Sequence, residues 1–504
     1  MNTAIEKIYR LYLQQQQRVC TDTRKIIPES IFFALKGSNF DGNTYAMDAI
    51  QKGCSWAIVD NPEIAEKSDR CILVNDVLKT LQQLAQYHRT QWNKPVIAIT
   101  GSNGKTTTKE LVAAVLSKKY KVLSTPGNYN NHIGLPLTLL QIQTEHQIAV
   151  IEMGANHPGE IKELCHIASP DYGIITSIGK EHLEGFGDIE TVKKTNGELY
   201  DYLLSQNKKI FLHLDNADLL DILSKNKISI PDILQNEDTF IIYSDVGKIS
   251  LPELYRDRKI TIGEYVENDK DIFMQFKWII NKAAYWEKFE NAIGFGYTIL
   301  PAFEKRPPVK THLLAYHNFI NALSAVCVGE YLGVNENDIN DAIANYIPDK
   351  NRMQWIETNK GNKIILDAYN ANPTSMMAAL QFFKEKNIIK YTPLTSDNKK
   401  INILTNEEDK IVILGDMFEL GEHSEKEHTD IIRYLKDNFA KSRIFLAGKE
   451  FMKAAEKEKL YSNIHCFEST EELKRHLLRL NITGQFILIK ASRGMQLEKI
   501  LEVL

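Results

Sequence analysis

The sequence predicts an α/β protein of three domains: a central parallel-sheet domain, a small α/β domain before it, and a Rossmann-like domain after it. Apolar runs of strand length alternate with amphipathic segments almost throughout. The 504 residues, 43% of them hydrophobic, are enough for about three or four cores. Boundary signals fall in two places, the polar segment Trp92-Asn93-Lys94-Pro95 and the helix-ending stretch Tyr346-Ile-Pro-Asp-Lys-Asn351. The expected domains are therefore residues 1–92, 93–347 and 348–504.

Buried strands are expected at Val96–Thr100, Ile148–Met153, Gly173–Ile178, Lys209–Leu214 and Phe240–Ser244 in the centre. Lys363–Asp367, Ile411–Gly415, Arg443–Ala447 and Phe486–Lys490 are expected in the last domain. Tyr391–Lys410 is polar and reads as a surface insertion, and Gln14 to Gln17 as a solvated helical face. Met376, Met377, Leu380 and Phe383 form a core stripe, while His423 and His428 read as surface residues. There is no internal repeat.

Composition narrows the function classes. A net charge of −4 with no concentrated basic face argues against nucleic acid or an acidic membrane as partner. No apolar run approaches the ~18–20 residues of a spanning helix, and the first residues lack a signal-peptide core. A cytoplasmic monomer is expected. The six scattered cysteines show no metal or disulfide spacing and read as reduced, packed thiols.

The stretch Ala98-Ile-Thr-Gly-Ser-Asn-Gly-Lys-Thr-Thr-Thr-Lys109 ends a strand and opens a helix. Backbone N–H groups of such a turn, with the positive end of the helix dipole, cradle phosphate oxygens; Lys105 would reach the terminal phosphates and Thr106 would ligate Mg²⁺. Gly101, Ser102, Asn103, Gly104, Lys105, Thr106 and Thr107 are the expected nucleotide contacts of a central P-loop ATPase domain. The loop departs from GxxxxGK[ST] at Ile99, where the first glycine would stand.

Other strand ends carry polar residues, where open α/β sheets place ligands. Glu152 follows a buried strand and either holds Mg²⁺, directly or through water, or caps the helix starting near His157-Pro158. His182, in Gly179-Lys-Glu-His-Leu-Glu-Gly-Phe-Gly187, is a second metal ligand, a substrate contact or a solvated loop histidine. The amides of Asn128, Asn130 and Asn131 either satisfy turn backbone or bind a polar ligand.

These elements, in this order over essentially the whole chain, resemble the Mur ligase family, the ATP-dependent amide-forming enzymes of the peptidoglycan stem peptide. The resemblance implies ATP at the TGSNGKTT loop, Mg²⁺ on Glu152 and a second Mg²⁺ on His182. It also implies that His317, Asn318 and Asn321 of the HNxxNA segment lie near adenine and that Arg352 faces phosphate. Thr21, Asp22, Arg24, Lys36, Gly37, Asp41 and Gly42 resemble the family's uridine-nucleotide segments. Arg24 and Lys36 would supply cations for a diphosphate, and the glycines would allow close backbone approach. In the last domain, Asp367-Ala-Tyr-Asn370-Ala-Asn372-Pro, Leu414-Gly-Asp-Met-Phe-Glu-Leu-Gly421 and Lys490-Ala-Ser-Arg-Gly-Met495 resemble signatures of the pathway's final ligase. That enzyme joins D-Ala-D-Ala to UDP-MurNAc-tripeptide. Asp367, Asn370 and Asn372 are then expected to position the dipeptide or nucleotide.

One departure concerns the second metal. The resemblance implies a carbamylated lysine fourteen residues after His182, where this chain has Asn196. A rearranged lysine such as Lys193, a site served by Asn196 and water, and an inactive variant all remain open. A non-catalytic relative that binds the same nucleotides is one alternative function. Another is a folylpolyglutamate synthase-like ligase, which should lack the first domain and the YNANP segment.

Overall fold

Three main sheets organise the chain in the computed structural model, which describes residues 3–245, 258–266, 272–280, 287–291, 294–298, 303–348, 351–387, 389–393, 400–404 and 406–504. The first sheet orders Val19–Cys20, Ile31–Phe33, Trp56–Val59 and Cys71–Leu73 side by side, all parallel. Its strands hold two to four residues, too few for a periodic pattern, so the sequence showed an α/β unit without its strands.

The central sheet has nine strands. Val96–Thr100 lies between Tyr172–Ile175 and Ile148–Glu152, followed outward on one side by Val122–Ser124 and on the other by Lys209–His213, Phe240–Asp245 and Ile260–Val266. These pairings are parallel, and most of their apolar residues are buried on both faces. Gln275–Ile280 and Val309–Lys310 then add an antiparallel edge that the alternating pattern did not announce. The loop strand Val96–Thr100 sits inside the sheet, so the turn after it opens at the carboxyl edge between neighbouring strands, where α/β folds bind ligands.

The third sheet runs in the order Gln354–Glu357, Lys363–Asp367, Phe486–Lys490, Lys410–Gly415, Arg443–Ala447 and Ile464–Phe467, parallel except at the first pair. The helix Pro373–Glu385 buries Met376, Leu380 and Phe383 against it. The expected surface insertion contains an antiparallel pair, Ile389–Pro393 with Lys400–Leu404, while residues 394–399 and 405 of that expectation lie outside the described residues. The glutamine run is only partly helical: the first helix is Thr3–Gln14, and Gln16 and Gln17 adopt positive φ after it.

All six cysteines are free, and four are buried. No described helix is long and apolar enough to cross a membrane. His428 corrects the surface reading: it is fully buried, its Nε2 accepts the Met417 N–H at 3.0 Å, and burial lowers its pKa. A single histidine in a charged helix carried no sign that its ring would tie down the turn after strand Lys410–Gly415.

Candidate active site

The phosphate loop is held from below by the neighbouring strand end. Ser102 N–H donates to Ser177 O at 2.8 Å, and Thr176 Oγ1 donates to Asn103 O at 2.6 Å. Two glycines are required here. Gly101 and Gly104 have φ of 125° and 85°, and an added Cβ would lie 2.3 Å from Thr176 Oγ1 and 2.7 Å from Asn321 Oδ1 respectively. Lys105, the first residue of helix Lys105–Leu116, turns its ammonium back to Gly101 O and to Glu181 Oε2, the latter at 3.2 Å. Glu181 is buried, and neither its contact with Lys105 nor its place 4.0 Å from His182 Nε2 was visible in a loop sequence.

Above the loop lies a cavity of about 470 Å³ lined by Ser102 to Thr107, Asn128, Asn130, Asn131, Glu152, His182, His317, Asn318, Asn321, Arg352, Asp367 and Asn370. The structure thus gathers residues spread over nearly 270 positions of sequence. Glu152 is 2% exposed; its Oε1 accepts from Thr106 Oγ1 at 3.2 Å and from Asn130 Nδ2 at 2.8 Å. Its Oε2 has no hydrogen-bond partner and lies 3.9 Å from the buried Lys109 ammonium. The helix near His157 begins at Glu160, whose own carboxylate takes the Asn156 and His157 N–H groups, so Glu152 is not its cap.

The amide run divides by role. Asn130 orients Glu152, Asn131 Oδ1 accepts from Ile133 and Gly134 N–H at 3.1 and 2.9 Å, and Asn128 lines the cavity. On helix Tyr316–Tyr331, Asn321 Nδ2 donates to Asn318 Oδ1 at 3.0 Å, which places both amides against the loop while the His317 ring faces the cavity.

The third domain closes the site. Arg352 Nη2 donates to Thr106 Oγ1 at 3.0 Å, and its guanidinium carbon sits 3.7 Å from the centre of the Tyr369 ring. Asn351 and Met353 on either side have φ of 66° and 46°, so the backbone is bent to present this arginine. Lys490 Nζ donates to Asp367 Oδ2 at 2.5 Å. His182 Nδ1 contacts the Glu419 carboxylate, which holds that carboxyl below its ordinary pKa range. Tyr369, Arg493 and Glu419 all line the cavity although none was singled out as a site residue; only the docking of two domains brings them there.

Several expected residues do not reach the cavity. Asn372 is 5% exposed and engaged at both amide atoms: Oδ1 caps the Ser375 N–H at 2.8 Å, and Nδ2 donates to Asn103 Oδ1 at 3.0 Å. It is a strut between domains. Asn196 is likewise consumed, Oδ1 accepting from Thr100 Oγ1 at 2.8 Å and Nδ2 donating to Val192 O at 3.1 Å. Lys193 cannot replace it, because its ammonium faces Asp218 and Asp221, which raise its pKa, with Glu190 3.4 Å away, and Lys194 is exposed.

Thr21, Asp22, Arg24, Lys36, Gly37, Asp41 and Gly42 stay in the first domain, outside this cavity. There Arg24 pairs with Asp22 at 2.8 Å and Lys36 with Asp60 at 2.8 Å. A larger cavity of about 770 Å³ opens at the carboxyl edge of the third sheet, but the phosphate loop does not line it and Asp416 within it is spent capping Glu450 and Phe451 N–H groups.

Known proteins match along this same layout. The Mur ligase middle domain matches residues 99–329, and the Mur ligase family catalytic domain matches residues 17–89. UDP-N-acetylmuramoyl-tripeptide--D-alanyl-D-alanine ligase from Bacillus subtilis (strain 168) is 31% identical over 491 residues, covering 96% of this chain and 92% of its own. The chain belongs to the Mur ligase family. Another Mur ligase, the protein of the same name from Escherichia coli (strain K12), is 29% identical over 489 residues, covering 96% of this chain and 93% of its own. Crystal structure I of MurF from Acinetobacter baumannii superposes with a TM-score of 0.74 at 27% identity, covering 98% of this chain and 97% of that one.

Proposed function

We propose that this Mur ligase joins D-Ala-D-Ala to UDP-MurNAc-tripeptide, with ATP cleaved to ADP and phosphate, in peptidoglycan precursor synthesis. The observation that carries the reading is Arg352 reaching from the third domain to Thr106 of the phosphate loop, which puts the ATP loop and the last domain's distinctive motifs on one cavity. Curated relatives of that name along the whole chain support it.

In the mechanism, a carboxylate oxygen of the tripeptide attacks the γ-phosphorus, the bond to the β-bridging oxygen breaks and ADP leaves. Lys105 and Arg352 offset the charge on the transferring group. The neutral amine of the dipeptide then attacks the acyl carbon, the C–O bond to phosphate breaks, and the amine proton leaves with the phosphate. The Thr106 hydroxyl and the Glu152 carboxylate, with its unpartnered Oε2, are hard oxygen donors that fit Mg²⁺. Bound there, the ion would neutralise phosphate charge. The residues of a second cation site do not fit as well, since His182 is paired with Glu419 and the Asn196 amide is hydrogen-bonded at both its oxygen and its nitrogen.

The His317, Asn318 and Asn321 group would receive the adenine end, and the Arg24, Lys36 and Gly42 region of the first domain the uridine nucleotide. Exposed Phe40 and Tyr45 in that domain offer rings for a base. Residues 1–92, 93–347 and 348–504 are taken as the domains, and the enzyme as a cytoplasmic monomer. Phosphate release by the purified chain tests the reading: it should require ATP, Mg²⁺, UDP-MurNAc-tripeptide and D-Ala-D-Ala together. Release that persists without the dipeptide, or none with the full set, would overturn it.

A further inference from the structure

The buried carboxylate that fits Mg²⁺ already has a cation beside it. Lys109 lies one helical turn beyond Lys105 on helix Lys105–Leu116 and is 3% exposed. Its ammonium donates to Thr125 O at 2.9 Å, and stands 3.9 Å from Glu152 Oε2 and 3.7 Å from Glu110 Oε1. The two carboxylates differ. Glu110 is partly exposed and accepts a hydrogen bond from Tyr346 OH at 2.6 Å, whereas Glu152 is buried and its Oε2 has no hydrogen-bond partner. Among the described residues, the one ion pair of Glu152 is with Lys109. A carboxylate taken out of water needs such a charge, and Lys109 supplies it.

The protein fixes both partners from the same place. Thr125 takes the Lys109 ammonium on its carbonyl and the Glu152 N–H on its Oγ1, the latter at 2.9 Å. Thr106 and Asn130 hold the other end of the Glu152 side chain through Oε1. Glu152 lines the cavity and Lys109 does not, so Lys109 acts on the site through Glu152. A positive charge beside a metal donor opposes a second cation. Mg²⁺, which dehydrates reluctantly, commonly completes its shell with substrate phosphates.

We infer that Lys109 is a positioning residue, the resident counter-cation of Glu152, which balances this carboxylate while the site holds no metal and keeps Mg²⁺ from binding tightly until nucleotide phosphate arrives with it. The inference rests on the reading of Thr106 and Glu152 as the Mg²⁺ donors. It makes metal entry conditional on nucleotide.

The test titrates the full-length protein with Mn²⁺ as the Mg²⁺ probe, without nucleotide, following bound ion by paramagnetic resonance and the melting temperature in parallel. The unmodified protein should bind Mn²⁺ weakly, at roughly 1 mM or above, with its melting temperature almost unmoved. Lys109→Met leaves Glu152 uncompensated. It should melt lower without metal, bind Mn²⁺ roughly 10- to 100-fold more tightly, and recover its melting temperature as the ion is added. Lys109→Met with Glu152→Gln removes both charges and should lose the tight binding. A Lys109→Met protein that melts lower yet binds Mn²⁺ no more tightly would show a purely structural lysine and overturn the inference. Tight Mn²⁺ binding retained in the double variant would instead overturn the assignment of Glu152 as a donor. Should Lys109→Met fail to fold with or without the ion, micromolar Mn²⁺ binding by the unmodified protein would overturn the inference on its own, and millimolar binding would support it. No peptide substrate enters these measurements, so they are independent of the ligase reading that phosphate release tests.

Discussion

The first and third domains meet the central domain in opposite ways. Helix Val77–Gln91 and its neighbours share one continuous apolar core with the centre, in which Ile8, Tyr12, Leu81 and Leu84 pack with Leu135, Leu139 and Ile142. Polar groups there are buried and saturated: Tyr12 OH donates to Leu140 O at 2.5 Å, and Arg89 holds Ala168 O at 3.0 Å and Asp171 at 2.9 Å. The third domain instead touches the centre through a small apolar contact around Leu183, Leu314 and Ala315, ringed by polar links. Those links are Arg352 to Thr106, Asn372 to Asn103, Lys180 to Glu427 at 2.5 Å, and the His182–Glu419 pair. Close packing resists separation, whereas exchangeable hydrogen bonds at the rim of a cavity do not. The first domain is built as a fixed part of the core, and the third as the more loosely joined one.

Mutations should separate these two interfaces. The largest effect on stability is expected at the first: Leu81→Ala should cost about 2–5 kcal/mol in denaturant unfolding, with the ATP KM of the folded fraction unchanged. At the third, Arg352→Met should lower kcat by roughly 100-fold or more in the phosphate-release assay while the melting temperature barely moves. Asn372→Ala removes a helix cap and the strut to Asn103 together. A stability loss of about 1 kcal/mol should accompany a lower kcat, and since its amide does not line the cavity the dipeptide KM should stay put.

A smaller effect concerns pH inside the third domain. Lys410 is buried with its ammonium on Phe383 O and Lys384 O, and burial pushes its pKa down to about 8. The folded state therefore binds this proton less tightly than the unfolded chain. The difference works against stability below about pH 8, and is relieved as pH rises toward the ordinary lysine value of about 10.4. Unfolding midpoints should show that upward slope in the native protein and lose it in Lys410→Met. The smallest expected effect is none: with Asn196 hydrogen-bonded and Lys193 held by three carboxylates, adding or removing bicarbonate should leave turnover unchanged.

What could be read in the sequence follows local order. Strands such as Lys363–Asp367 and Phe486–Lys490 are apolar runs bounded by polar residues, and the phosphate loop is one contiguous stretch. The two-residue strand Val19–Cys20 and the antiparallel edge at Gln275–Ile280 depend on neighbours far along the chain and left no local signal. The site divides likewise. Thr106 and Glu152 stand at strand and loop ends that periodicity reveals. Tyr369, Glu181 and Arg493 become site residues only through contacts that a second segment creates, and Asn372 leaves the site for the same reason, its amide taken by Asn103.

The account's central claim is an acyl phosphate formed between the phosphate loop and the third domain. It is tested most directly by labelling the tripeptide's reacting carboxylate with heavy oxygen and measuring the mass of the phosphate released in the complete reaction. One heavy oxygen atom per phosphate is the expected result, because the carboxylate oxygen that attacks phosphorus departs with it. Phosphate carrying only ordinary oxygen would mean that the carboxylate never bonded to phosphorus, and would contradict the account.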